Sequence, residues 1–334
     1  MQCRNRKRAW RGTALLGVAL VAAGCGGAGK GEPLQVTVPP GASFGQIADS
    51  LAARDIIGNK LFFQVYGRVK GAAGSLKPGT YAFKQGIAWD SILADLEAGR
   101  VVTAKLVIPE AFDIFKIAPR IAGITRVSED SVLSLMTDSA VTRRLGVPGP
   151  TLEGYLYPAT YSFPVNVSVD SVLKTLVATY RREWTPARQA RADSIGLSER
   201  EVVTLASILE REAKKLDEMP IMSAVYHNRL RIGMPLQADP TVQYALGKHR
   251  ERLTYTAIDS VAGNPYNTYK VRGLPPGPIA SPSARGIDAA LRPDSADYLY
   301  FVARPDGSHV FTRSLAEHNR EKLAIQRARG TTPQ

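Results

Sequence analysis

The stretch Leu34-Gln-Val-Thr-Val-Pro-Pro-Gly-Ala-Ser-Phe-Gly-Gln-Ile-Ala-Asp-Ser-Leu51 changes its hydrophobic period partway along. Leu34, Val36 and Val38 alternate with polar residues, which is the two-residue period of a strand. Pro39-Pro-Gly41 interrupts that pattern, and Ser43 stands at a helix N-cap position ahead of Ile47, Ala48 and Leu51 on one helical face. Strand, turn and amphipathic helix in so short a run predict an α+β fold. The unit echoes 70 residues on, where Ile108-Pro109, Ile117-Ala118 and Ile121-Ala122 repeat the pattern of Val38-Pro39, Ile47-Ala48 and Leu51-Ala52. Such a supersecondary unit is common, so the echo predicts local structure without requiring a duplicated function.

Outward from this stretch, helices are expected at Lys60 to Val69 and Trp89 to Leu96, the latter closed by Ala98-Gly99. Lys77-Pro-Gly-Thr-Tyr-Ala-Phe83 reads as turn plus strand. Ser128 to Leu145 is expected as a surface helical region, Val169 to Trp184 as a helix, and Ser198 to about Leu230 as a longer helical region. Towards the N-terminus, Gly26-Gly-Ala-Gly-Lys-Gly-Glu-Pro33 has few apolar groups and reads as a tether, with structure expected from Leu34.

The first eleven residues carry Arg4, Arg6, Lys7, Arg8 and Arg11 and no acid, and an apolar stretch to Cys25 follows. That is the layout of an export signal. Val21-Ala-Ala-Gly-Cys25 resembles a bacterial lipobox, with Ala22 where Leu is usual. An uncleaved anchor helix over residues 12–28 is the competing reading. Either way, the body lies on the extracytoplasmic face of the membrane, held by a lipid on Cys25 or by an N-terminal helix. Cys3 and Cys25 are the only cysteines, so the body can use neither disulfides nor a thiol nucleophile. The net charge is +13, of which five units belong to the leader. The remaining surplus suits an anionic wall polymer or lipid surface, though an Arg-rich composition also produces it. Nucleic acid is an unsuitable partner for an exported chain.

Chemistry concentrates in Ser198-Glu-Arg-Glu-Val-Val-Thr-Leu-Ala-Ser-Ile-Leu-Glu-Arg-Glu212. Ser198 and Glu201 form a capping box, and Val202, Leu205, Ala206 and Leu209 make the apolar face. Glu210 and Glu212 flank that face on opposite sides. Partial burial would raise either carboxyl towards a pKa fit for proton donation, and periodicity does not choose between them. Two glutamates on a solvated helix edge are also ordinary. Context comes from Gln237, Asp239, Thr241 and Gln243, polar groups spaced among apolar residues in a way that suits sugar hydroxyl and acetamido groups. The Pro-rich loop Gly273 to Pro282 is stiff enough to line a groove.

Several ordered motifs resemble the endolytic murein transglycosylases, the MltG or YceG-like family. They are Leu-Glu-Gly-Tyr-Leu (152–156), Ala-Ser-Ile-Leu-Glu-Arg-Glu-Ala (206–213), Asn-Arg-Leu (228–230), Gly-Met-x-Leu-Gln-x-Asp-Pro-Thr (233–241), Tyr-Asn-Thr-Tyr (266–269), Gly-Leu-Pro-Pro-x-Pro-Ile (273–279) and Tyr-Leu-Tyr-Phe-Val (298–302). The Val38-Pro-x-Gly-x-Ser43 opening and Leu76-x-Pro-Gly-x-Tyr81 strand resemble the family's LysM-like subdomain. The resemblance implies a leader or anchor over 1–28, a Gly-rich tether over 29–33, a LysM-like subdomain over 34–104 and a mixed α/β catalytic domain over 105–330. It also implies cleavage between N-acetylmuramic acid and N-acetylglucosamine in nascent strands, leaving a 1,6-anhydromuramyl end and limiting strand length. No cofactor or metal is implied, and the partners would be glycan strands and the peptidoglycan synthases. The catalytic glutamate carries over to Glu212, with Glu210 second. Gln237, Asp239 and Thr241 would position the sugar, and Glu153 and Asn267 would contact the groove. Pro109-Glu110-Ala111 departs from the family's usual Pro-Glu-Gly.

Three rivals stand beside this. A hydrolytic muramidase would use Asp239 as its second carboxylate. A non-catalytic wall-binding scaffold would bind glycan without cutting it. Ser171-Val-Leu-Lys174 matches a penicillin-binding Ser-x-x-Lys, but no Ser-Asp-Asn or Lys-Thr-Gly partner accompanies it. His227, His249, His309 and His318 lack zinc-ligand spacing.

Overall fold

The computed structural model describes residues 27–247, 250 and 253–328, so the leader, Cys25 and His249 lie outside the described residues. The fold is α+β, and the chain divides into two compact units, 1–103 and 104–334.

The first unit runs β1 (Ala28–Val38), α1 (Phe44–Ala52), α2 (Lys60–Val69), β2 (Gly79–Ile87) and α3 (Trp89–Ala98). β1 and β2 pair antiparallel, with Val36 opposite Tyr81 and Leu34 opposite Phe83. The alternation read from Leu34 onward puts Val36 and Val38 into a core with Leu51, Phe63, Tyr81 and Leu96. Ser43 caps α1 through a complete capping box with Gln46. Gly99 ends α3 in the left-handed conformation. The expected tether is instead strand: β1 begins at Ala28, which faces Ile87, and Lys30 faces Gln85 across a register shift. A ladder needs only main-chain N–H and C=O groups, so exposed and poorly apolar residues can join it.

The second unit is built around β3 (Thr103–Ile108), α4 (Ile114–Thr125), α5 (Glu129–Thr137), α6 (Ser139–Arg144), β4 (Ala159–Pro164), α7 (Val169–Glu183) and α8 (Pro186–Ser194). It continues through α9 (Glu199–Glu212), α10 (Met219–Arg231), α11 (Asp239–Ala245), α12 (Tyr255–Ser260) and α13 (Ala284–Leu291). It ends with β5 (Tyr300–Ala303), β6 (His309–Thr312) and α14 (Leu315–Ala328). β3 pairs with β4, and β5 with β6. α9 runs through the core: every residue from Val202 to Glu210 is buried. The region expected as one surface helix over 128–145 is two helices divided at Asp138, and it is anchored by the fully buried Val132 and Met136. The long helical region from Ser198 also divides. α9 stops at Glu212, and α10 starts afresh at Met219-Pro220, where proline's missing N–H costs nothing.

The 70-residue echo holds at the level of backbone. Both turns precede a side-chain N-cap, Ser43 for α1 and Asp113 for α4. Both also place a residue at positive φ, Gly41 at 76° and Ala111 at 60°. The second copy therefore carries a Cβ in a conformation that favours glycine.

Candidate active site

α9 ends at a cleft of about 350 Å³ whose lining includes Glu212, Asp239, Gln237, Arg229 and Tyr269. Its remaining wall comes from β5, β6 and α14, including Tyr300, His309 and His318. Because Glu212 is the last helical residue, its side chain leaves the core where the chain turns away. Glu212 is half-buried. Burial, and next the negative charge of Asp239, push its pKa up to about 8, against the pull of the Tyr226 hydroxyl at 3.5 Å. At neutral pH the group is thus mostly a carboxylic acid, able to donate a proton and then to receive one as carboxylate.

The residues around the acid are themselves fixed. Arg229 sits buried beneath the cleft, where Nε donates to the Leu299 carbonyl at 2.7 Å and Nη1 to the Leu236 carbonyl at 2.6 Å. Its guanidinium also lies over the Tyr300 ring, 5.3 Å from the centroid. The Tyr269 hydroxyl donates to Asp239 Oδ1 at 2.5 Å. Gln237 is exposed at φ 50°, a left-handed kink that turns the chain into the start of α11.

Glu210 sits very differently. It is 8% exposed, and its Oε2 accepts both the main-chain N–H of Ser283 at 3.0 Å and its hydroxyl at 2.8 Å. Burial raises its pKa, with the Ser283 bonds acting against that. A Cβ on Gly286 would come within 2.6 Å of Glu210 Oε2, so this glutamate is fitted into the start of α13.

Three of the expected substrate-binding residues, Glu153 and Asn267 as groove contacts and Thr241 as a sugar-positioning group, are buried in the structure. Glu153 is 1% exposed and accepts the N–H groups of Ile114, the first residue of α4, at 3.1 Å and of Gly154 at 3.2 Å. Its pKa, like that of Glu212, is raised by burial to about 8. Asn267 is 0% exposed, donates to the carbonyls of Ile258 and Val261, and accepts from the Tyr269 N–H. Thr241 is 0% exposed and bonds the Ala238 carbonyl and Thr268. Buried polar groups must find partners, and in these turns the main chain is nearest. Gln237 and Asp239 do line the cleft with Glu212. The sequence reading missed Arg229, Tyr269, His309 and His318. Arg229 and Tyr269 lie inside the quoted motifs, and His309 follows Tyr298-Leu-Tyr-Phe-Val302 closely enough to be its hairpin partner. Among the described residues, no group of three His, Cys, Asp or Glu side chains is placed to hold a metal ion.

This fold is that of a known family. The chain belongs to the YceG-like family, whose sequence profile matches residues 36–324. A protein named endolytic murein transglycosylase from Bacillus subtilis (strain 168) is 34% identical over 305 residues, covering 86% of this chain and 84% of its own. One of the same name from Streptococcus pneumoniae serotype 2 is 28% identical; 86% of this chain is covered, but only 59% of the longer streptococcal protein. The crystal structure of the yceG-like protein lmo1499 from Listeria monocytogenes superimposes with a TM-score of 0.61 at 33% identity, over 87% of this chain and 99% of that one.

Proposed function

We propose that this protein is a peptidoglycan lytic transglycosylase that cleaves inside glycan strands, with Glu212 as its acid and base. The observation that carries the reading is a half-buried carboxyl with its pKa pushed up to about 8, opening onto a cleft. The shared name of the bacillary and streptococcal relatives supports the substrate class. In this mechanism Glu212 protonates the glycosidic oxygen as the bond to the muramyl anomeric carbon breaks. As carboxylate it then takes the proton of the sugar's own 6-hydroxyl while that oxygen bonds to the anomeric carbon. The product is a 1,6-anhydromuramyl end, and no water is consumed. Gln237 and Asp239 contact the sugar in this reading.

The presence of Asp239 in the cleft favours one alternative, a hydrolytic muramidase, since two-carboxylate glycosidases place their acids roughly 5–9.5 Å apart. Digestion of uncrosslinked peptidoglycan, with strand ends identified by mass, separates the two. Anhydro ends are expected, reducing ends would replace the lyase by a hydrolase, and binding without release of fragments would leave a scaffold.

We further read the first unit as LysM-like glycan-binding, on its two sequence motifs and its strand, two helices and strand in order. Extracytoplasmic attachment through the leader, contact with peptidoglycan synthases and a role in limiting strand length complete the proposal. The charge pattern of the leader supports the first of these, and the family resemblance supports the others.

A further inference from the structure

The wall of the Glu212 cleft built by β6 and α14 carries two histidines that the reaction above does not use. The side chain of His309 is only 4% exposed. Glu218 holds this residue twice, with Oε1 accepting its main-chain N–H at 3.1 Å and Oε2 bonded to Nδ1 at 2.6 Å. The ring also meets Phe301 edge-on, with centroids 5.5 Å apart. In that bond the carboxylate oxygen accepts and Nδ1 is the donor, which leaves Nε2 as the ring's acceptor position.

His318 is set the other way round. Its Nδ1 is sealed from solvent with no hydrogen-bond partner, and its ring lies 5.5 Å from that of Tyr300. A proton there would be a buried donor without an acceptor, at the cost of its desolvation, so the proton belongs on Nε2. Burial, and then the positive charges of Lys322 and Arg229, favour the neutral ring.

We propose that His309 and His318 form an acceptor and donor pair that reads the acetamido group of an N-acetylhexosamine in the strand. Nε2 of His309 accepts the amide N–H, and the Nε2–H of His318 donates to the amide carbonyl. A secondary amide presents one donor and one acceptor fixed on a rigid plane, and two locked tautomers match that. A hydroxyl combines both roles on one freely rotating atom, and needs no such locking. Glu218 is the positioning residue for His309. The inference rests on the glycan-cleaving reading of the cleft.

The test uses the full chain carrying Glu212→Gln, so that strands bind without turnover. Affinities are measured for two soluble uncrosslinked strands of equal length, one N-acetylated and one chemically de-N-acetylated. His309→Asn keeps an amide N–H for Glu218 but has nothing in the place of Nε2, and His318→Phe keeps a ring without its donor. Each is expected to weaken binding of the acetylated strand about tenfold, the scale of one or two lost hydrogen bonds, with affinity for the other strand held and the variants still folded by circular dichroism. His318→Gln, which restores a donor at the Nε2 position, is expected to rescue most of the loss in His318→Phe. Parental affinities in both single variants, or equal losses for both strands, would overturn the proposal. Cleavage by the wild type is measured alongside. If the wild type cleaves while the variants keep full discrimination, only the histidine assignment is lost; if it neither binds nor cleaves, the function falls as well.

Discussion

Glu210 and Glu212 sit two residues apart on the same helix, and burial raises the pKa of both, yet their surroundings assign them opposite work. Glu210 turns its carboxylate onto Ser283 and closes the start of α13. Glu212 opens onto a cleft, with the Tyr226 hydroxyl at 3.5 Å. Glu153 makes the same point from a third position, with a pKa also near 8 but both oxygens spent on main-chain N–H groups. A shifted pKa marks a carboxyl that is costly to ionise. Only access to a ligand turns that cost into chemistry.

The contrast predicts that Glu212→Gln lowers strand cleavage by about 10³-fold while the melting temperature stays near that of the wild type, since in the proposed mechanism it removes the proton donor and with it several kcal/mol of transition-state stabilisation. Equal activity in this variant would break the comparison outright. A pH profile is the next largest effect. In the proposed mechanism the acid form of Glu212 is the active one, so kcat/KM should fall about tenfold per pH unit above about 8 and level off at least about a unit below it. Glu153→Ala strands two buried N–H groups and should destabilise by about 2–5 kcal/mol in chemical denaturation. Glu210→Ala leaves the Ser283 N–H without its acceptor and should cost about 1–3 kcal/mol, with lost activity tracking lost fold. Sign and window also follow for the intact protein. Folded Glu153 and Glu212 bind protons more tightly than the unfolded chain, so their contribution to stability is full below about 4.5 and is lost as pH rises through about 8. The smallest effect is on the Glu210 side. Ala111, at φ 60°, donates its N–H to the Ser281 carbonyl in the strap leading to Ser283, so Ala111→Gly should stabilise by about 0.5–1 kcal/mol without changing cleavage.

Much of the fold was legible because its signals are local. The bounds of α2, the capping box of α9 and the glycine closing α3 follow from adjacent side chains. The start of β1 was not legible, because Ala28 and Lys30 enter the ladder through main-chain bonds to Gln85 and Ile87 that leave no hydrophobic trace. The candidate site was legible only in part for a similar reason. Glu212, Gln237 and Asp239 belong to motifs that can be read linearly, and helical period left Glu210 an equal claim because Ser283 lies 73 residues away. Asn267 and Thr241 carry the polar groups expected of a groove, but whether such groups face a ligand or their own turn depends on partners such as Val261 and Thr268. His309 acquires its meaning only through Glu218, 91 positions earlier.

One feature of the cleft bears on how the protein is made. Its acid comes from Glu212, but a wall of it comes from Tyr300, His309 and His318, near the far end of the polypeptide. A ribosome, which makes the chain from its N-terminus, releases Glu212 well before that wall. A nascent or prematurely terminated product ending before Tyr300 would carry Glu212 but lack this wall of the cleft. The cleft is therefore closed on this side only once the segment through His318 has been made.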